Sequence, residues 1–95
     1  MNYQNEKLPE GLELASSTPI MTEETVLKGI LKNHKTSAGR YGYLVVEEGS
    51  LQFVWEDSPF EALDADLDHP IVIEPERAHH VEITGAVKFK VEFYS

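Results

Sequence analysis

Two stretches of the chain alternate between hydrophobic and polar residues with the two-residue period of a β-strand. The first, residues 41–55, contains two such runs on either side of Glu48-Gly49-Ser50, a typical turn composition. The second, residues 79–93, contains two runs on either side of Thr84-Gly85. Each stretch therefore predicts a β-hairpin.

The rest of the chain adds shorter strands. Residues 12–20 alternate weakly before Pro19 and predict an edge strand, because proline cannot donate a hydrogen bond to a central ladder. Residues 56–70 are acidic and predict a surface connection with one short strand, and residues 71–73 read as a buried strand. Seven or eight short strands with almost no helical pattern indicate an all-β sandwich or small barrel.

Chain length sets the domain organisation. With 95 residues the chain is long enough for one domain, and we expect a flexible N-terminus over residues 1–7 and a β-barrel domain over residues 8–95. A core this small favours a homodimer in which a second copy covers apolar surface. The sequence contains neither an apolar signal-peptide core nor a run long enough to span a membrane, so we expect a cytoplasmic location.

Composition narrows the classes of partner. The 8 basic and 17 acidic residues give a net charge of −9, which repels nucleic acid and anionic membrane surfaces. The chain contains no cysteine, so neither a disulfide nor a thiolate nucleophile is available. A bound metal ion must therefore use histidine, carboxylate or water as ligands.

The sequence HHVEI at residues 79–83 places one histidine inside the fold. His79 shares a strand face with Val81 and Ile83, whereas His80 and Glu82 share the other face, so we expect His79 to point inward and His80 outward. An inward histidine is either a core residue hydrogen-bonded to backbone or a metal ligand. His34 lies beside the first predicted hairpin and is either a surface residue or the second ligand of a shared pocket.

Other candidate residues lie on the predicted strands. Glu92 lies between Val91 and Phe93 in the last predicted strand, so its side chain points to the face opposite their apolar side chains. It is either a solvated carboxylate or the third ligand of a two-histidine, one-carboxylate site. Tyr41, Tyr43 and Trp55 belong to strand faces on which aromatic residues serve either core packing or pocket lining.

Short motifs in a fixed order resemble a known family. They are LPEGL at residues 8–12, STP at 17–19, HKT at 34–36, GYLVV at 42–46, EPERAH at 74–79 and VEFY at 91–94. Together they resemble the YeaR/TehB-like cupin family, which includes free-standing small proteins and the N-terminal domain of tellurite-resistance methyltransferases. The resemblance covers residues 8–94.

This resemblance implies a cupin-type barrel, the double-stranded β-helix or jelly roll, with a metal pocket. His34 and His79 would be the ligands of a divalent ion such as zinc, iron, nickel or manganese, and the third ligand would be Glu92, water or the substrate. Thr36 stands where the general cupin motif has another histidine, so the resemblance implies a reduced metal site with Thr36 lining the pocket.

The resemblance implies a function in binding. We expect a cupin, related to tellurite resistance and stress response, that binds a small molecule or oxyanion at its metal ion. The alternative is a small metalloenzyme such as a cupin-type oxygenase or isomerase, for which Glu92, Tyr41 and Tyr43 are the acid–base candidates. A metal-free structural or oligomerisation domain is the third reading, and the sequence leaves open whether the protein is an enzyme.

Overall fold

The chain folds into antiparallel strands. The computed structural model describes residues 2–26, 31 and 35–95, and within them no α-helix is present. The strands are β1 (Leu14–Ser17), β2 (Met21–Thr22), β3 (Tyr41–Trp55), β4 (Leu63–Asp66), β5 (Ile71–Ile73), β6 (His79–Glu82) and β7 (Val87–Tyr94). The prediction of an all-β fold is confirmed, and so is that of a short strand in the acidic connection.

Strand β3 organises the sheet. Its first half pairs with β5 and β7, and its second half pairs with β4 and β6. Strands β1 and β2 both pair with β7, and β1 forms an edge as predicted. The pairings among the described residues leave the sheet open, so they support an all-β sheet without showing a closed cupin-type barrel.

The first predicted hairpin is wrong, because β3 continues through Glu48-Gly49-Ser50 as one strand of 15 residues. The register against β7 shifts between Val46 and Glu48, and Gly49 takes a φ of 76° opposite Val87. Such a β-bulge bends a strand without reversing it. The bend carries β3 from one layer of strands, in which it pairs with β5 and β7, into a second layer, in which it pairs with β4 and β6.

The second predicted hairpin is also wrong, because β6 and β7 pair with different halves of β3. Val81 of β6 lies opposite Phe53, whereas Val91 of β7 lies opposite Leu44. Each strand has an apolar face, as the alternation predicted, but the two faces cover the same core from opposite layers. Alternation identifies a buried face and does not specify the partner strand.

The core lies between the two layers and receives side chains from β2 to β7. The largest of its fully buried side chains are those of Phe53, Phe89, Leu44, Leu51, Ile71, Val46 and Val81. Among the residues that the structure describes, the buried polar side chains are those of Thr36 and His79.

The N-terminal segment contacts the sheet. The Asn2 carbonyl accepts a hydrogen bond from the Asp64 amide at 2.7 Å. The Gln4 amide side chain pairs with the backbone of Val72, accepting at 2.7 Å and donating at 3.0 Å. These contacts join residues 2–4 to β4 and β5, and the boundary between residues 7 and 8 stays a prediction. Among the described residues no helix is long and apolar enough to cross a membrane.

Candidate functional site

His79 is the polar residue at the centre of the candidate site. It begins β6 opposite Trp55, and only 2% of its surface is exposed, so the predicted inward orientation is confirmed. Its Nδ1 lies 3.0 Å from the Arg77 carbonyl oxygen. Because a carbonyl can only accept, Nδ1 carries the proton, and in the neutral ring the lone pair is on Nε2.

Aromatic rings hold the His79 imidazole in place. Phe53 stacks on it with centroids 5.1 Å apart and planes 24° from parallel, and Trp55 meets it edge-on at 5.7 Å and 82°. Phe53 and Trp55 also pack against each other at 4.9 Å. These contacts, together with the hydrogen bond to Arg77, leave the imidazole little freedom to rotate.

Arg77 supports this aromatic cluster from outside. Its guanidinium carbon lies 4.0 Å from the centroid of Trp55, a cation–π contact. The same group donates two hydrogen bonds to Asp57, at 2.8 and 2.9 Å. The hydrogen bond from Arg77 lowers the pKa of the Asp57 carboxyl. Arg77 therefore supports His79 in two ways: its carbonyl accepts the hydrogen bond from His79, and its side chain packs on the Trp55 ring that contacts His79.

A small cavity adjoins His79. Its volume of about 20 Å³ is enough for one water-sized occupant. It is lined by Thr36, Leu44, Phe53, Ile73, His79, Val81, Val91 and Phe93. Thr36 is anchored there, because its hydroxyl donates to the Glu74 carbonyl at 3.2 Å and its own carbonyl accepts from the Glu76 amide at 3.0 Å.

The other predicted site residues are not all brought to this cavity. Thr36 lies in its wall and Trp55 lies behind His79, but His34 is outside the described residues. Tyr41 and Tyr43 alternate with the buried Gly42 and Leu44, so they lie on the other face of β3.

Glu92 likewise lies on the face of β7 opposite Val91 and Phe93, which line the cavity. Its carboxylate accepts a hydrogen bond from the Tyr94 hydroxyl at 2.9 Å and contacts Lys90 Nζ at 3.2 Å. The hydrogen bond to Glu92 raises the pKa of Tyr94. The structure therefore places Glu92 in a polar cluster on the outer face and does not bring it together with His79.

Comparison with known proteins assigns the chain to a family. The family model described as "TehB-like domain" matches residues 16–91. The chain belongs to the TehB-like domain family. The comparison with curated proteins gave no significant match.

Two solved structures share the fold of this TehB-like domain. A crystal structure of a protein from E. coli strain K12 superposes with a TM-score of 0.82 at 21% identity, over 94% of this chain and 95% of that chain. TehB from Haemophilus influenzae superposes with a TM-score of 0.80 at 23% identity, over 90% of this chain. The match covers only 32% of that TehB chain, so this chain spans about a third of its length. At these identities the likeness shows the fold alone.

The residues around His79 can be compared with what a metal site requires. The backbone hydrogen bond at His79 Nδ1 is the kind of outer contact that orients a metal-bound histidine through Nε2. Within residues 2–26, 31 and 35–95, however, no three His, Asp or Glu side chains are grouped so that they could hold an ion. Among the described residues, His79 therefore has the orientation of a metal-bound histidine but lies in no group of side chains that could hold an ion.

A second histidine site, on the outer face, was not predicted. His80 Nδ1 contacts Glu56 and His80 Nε2 contacts Glu82 at 3.0 Å. Two carboxylate partners require both ring nitrogens to donate, which is the charged imidazolium. Partial burial opposes that charge, but the hydrogen bonds to Glu82 and Glu56 outweigh it and raise the pKa of His80. The alternation along the strand predicted that His80 and Glu82 lie on the same face. Glu56 could not be predicted in this way, because the pairing of β3 with β6 brings it there.

Proposed function

We propose that this TehB-like domain is a binding module that holds a small molecule or oxyanion at a divalent ion, with His79 and His34 as the protein ligands of the ion. The observation that carries the proposal is the orientation of His79. The imidazole of His79 is buried, and its Nδ1 proton is committed to a backbone carbonyl beside an otherwise mainly apolar cavity. That arrangement makes Nε2 the atom suited to coordinate a metal.

The size of the cavity supports an ion or water at this position. A volume of about 20 Å³ accommodates one atom-sized ligand and excludes a larger organic group from the interior. The larger part of a bound molecule would therefore remain at the mouth of the cavity. An ion with few protein ligands would keep positions open for water or for an anionic group of that molecule.

The positions of the acid–base candidates favour binding over catalysis. Glu92, Tyr41 and Tyr43, the residues suggested as proton donors or acceptors of a metalloenzyme, all lie on strand faces that point away from the cavity. General acid–base catalysis needs such a group within hydrogen-bonding reach of the reacting atom, directly or through one water. We therefore place a cupin-type metalloenzyme second.

Membership of the TehB-like family is the basis for proposing a barrel fold and a biological role as well as a binding site. We include in the proposal that the two strand layers form a cupin-type barrel and that the domain takes part in tellurite-related stress response. The motifs HKT at residues 34–36 and EPERAH at 74–79 support this assignment. A homodimer and a cytoplasmic location stay predictions from the sequence.

Metal content tests the proposal. The purified protein is incubated in turn with zinc, manganese, nickel and ferrous iron, desalted, and analysed by mass spectrometry of its metals. We expect stoichiometric uptake of at least one of these ions and its loss in His79→Ala and His34→Ala. His80→Ala is the matched control, because it removes the neighbouring imidazole on the outer face of the same strand.

A second variant separates loss of metal from loss of fold. His79→Asn retains an amide that can donate to the Arg77 carbonyl in place of Nδ1, so it should keep the fold, measured by circular dichroism, and still lose the ion. Uptake that is unchanged in His79→Asn, or that disappears in His80→Ala, would overturn the assignment of the site. So would the absence of uptake of all four ions by the wild type.

A further inference from the structure

A groove opens beside the His79 cavity and shares two wall residues with it. The groove has a volume of about 180 Å³ and is lined by Lys35, Thr36, Ser37, Arg40 and Phe93. Thr36 and Phe93 also line the small cavity. The groove is therefore the space in which the part of a ligand too large for the cavity would lie.

The charge of this groove contrasts with that of the whole protein. The net charge is −9, yet the described residues that line the groove include Lys35 and Arg40 and no acidic residue. Lys35 and Arg40 form no ion pair with any described residue, whereas Arg77, Lys88 and Lys90 are each paired with a carboxylate. Lys35 and Arg40, neither of which pairs with a carboxylate in the part of the chain that the structure describes, thus line the same groove.

Local backbone structure holds these side chains around the groove. The Arg40 amide donates to the Ser37 carbonyl at 3.1 Å, which closes a turn over Ala38 and Gly39. The Arg40 guanidinium carbon lies 6.0 Å from the centre of the Phe93 ring. Thr36, which precedes the turn, is fixed by its two hydrogen bonds to the segment at residues 74–76.

We propose that this groove binds the anionic group of the ligand, an oxyanion or a carboxylate, through Lys35, Arg40 and the hydroxyl of Ser37. Arg40 would supply paired donors, Lys35 a point charge and Ser37 a neutral donor. The inference deepens the proposed function and rests on it for the role of the adjoining cavity. The attraction of the groove for an anion, however, does not require a metal ion.

Titration with inorganic phosphate and with acetate, at constant ionic strength, tests the inference. Chemical shifts of the backbone amides are followed by NMR. We expect saturable shifts at residues 35–40 and at Phe93, and we expect Arg40→Gln and Lys35→Gln each to raise the Kd about fivefold or more, since charge-assisted hydrogen bonds are lost. If phosphate alone saturates the groove, the ligand is an oxyanion; if acetate does so as well, carboxylates are included.

Lys7→Gln is the matched control. It removes the same charge from another basic residue without an ion pair in the described structure, but Lys7 lies in a separate groove that also contains Glu6 and Glu74. We expect the Kd to remain within about twofold of the wild type, because Lys7 does not line the anion groove and an exposed charge outside it is screened by salt. A Lys7→Gln effect as large as that of Arg40→Gln, or shifts spread evenly over the surface, would overturn the inference.

Repeating the titration on metal-depleted protein and on His79→Asn separates the two proposals. The groove inference predicts that anion binding persists in both and remains sensitive to Arg40→Gln. If binding requires the metal and is insensitive to Lys35→Gln and Arg40→Gln, the groove inference is wrong and the metal site of the proposed function binds the anion. If the groove binds anions while no metal is ever taken up, the proposed function is wrong and the groove inference stands.

Discussion

Replacing Gly49 by alanine should destabilise the domain much more than the same replacement at Gly39. Both glycines have left-handed backbone conformations, with φ of 76° at Gly49 and 75° at Gly39. They differ in the space available to a side chain. A Cβ at Gly39 would have no atom within 4 Å, whereas a Cβ at Gly49 would lie 2.2 Å from the Ala86 carbonyl oxygen.

The expected loss of stability follows from the backbone conformation of each glycine and from the space available to a Cβ. The left-handed conformation costs an alanine about 1–2 kcal/mol, offset by about 0.4–1 kcal/mol because alanine has less conformational entropy in the unfolded chain. Gly39→Ala should therefore lower the free energy of unfolding by about 1 kcal/mol. Gly49→Ala adds a backbone overlap that only movement of β3 away from Ala86 can relieve, for a further cost of about 1–3 kcal/mol.

Thermal unfolding measured by circular dichroism distinguishes the two variants. For a domain of this size a change of about 1 kcal/mol shifts the Tm by roughly 4–8 °C, so Gly49→Ala should melt about 4–24 °C below Gly39→Ala. Because the bend at Gly49 orients the second half of β3, which carries Phe53 and Trp55, the near-ultraviolet spectrum should also change only in Gly49→Ala. Equal melting temperatures would refute the close approach of β3 to Ala86.

Two further predictions concern the surroundings of His79. Arg77→Lys keeps the charge but loses the two parallel hydrogen bonds to Asp57 and the planar contact with Trp55, so it should lower the free energy of unfolding by about 1 kcal/mol in urea denaturation; wild-type stability would contradict this. The raised pKa of His80 means that its stabilisation is complete below the ordinary histidine pKa of 6.5 and is lost as the pH rises through the higher folded-state pKa. Unfolding free energy measured against pH should therefore fall over that window in the wild type more than in His80→Gln, and parallel profiles would show that the Glu56–His80–Glu82 contacts contribute nothing.

Local patterns in the sequence predicted local features of this fold correctly. The two-residue period located the residues of β3, β6 and β7 and assigned His79 to the interior and His80 to the outer face, because side-chain direction within a strand depends only on parity. The same reasoning failed at Gly49. A glycine with positive φ serves a hairpin turn and a β-bulge equally well, and the two are distinguished by the pairing of β3 with β7, which continues through Gly49.

Features that depend on strand partners could not be predicted from the pattern. The aromatic cluster at His79 exists because β6 pairs with β3 in the register that sets His79 opposite Trp55. The contact of Arg77 with Asp57 spans 20 residues and that of His80 with Glu56 spans 24, so no local spacing indicates them. The basic groove likewise depends on the turn before β3 meeting Phe93 near the end of the chain.

A crystal structure of the protein soaked with the ion it takes up best, with data collected at the absorption edge of that metal, tests the central claim most directly. The account predicts an anomalous peak about 2.0–2.2 Å from His79 Nε2, with His34 as a second ligand and the His79–Arg77 hydrogen bond intact. No peak at Nε2, or a peak between His80 and Glu82 instead, would contradict it.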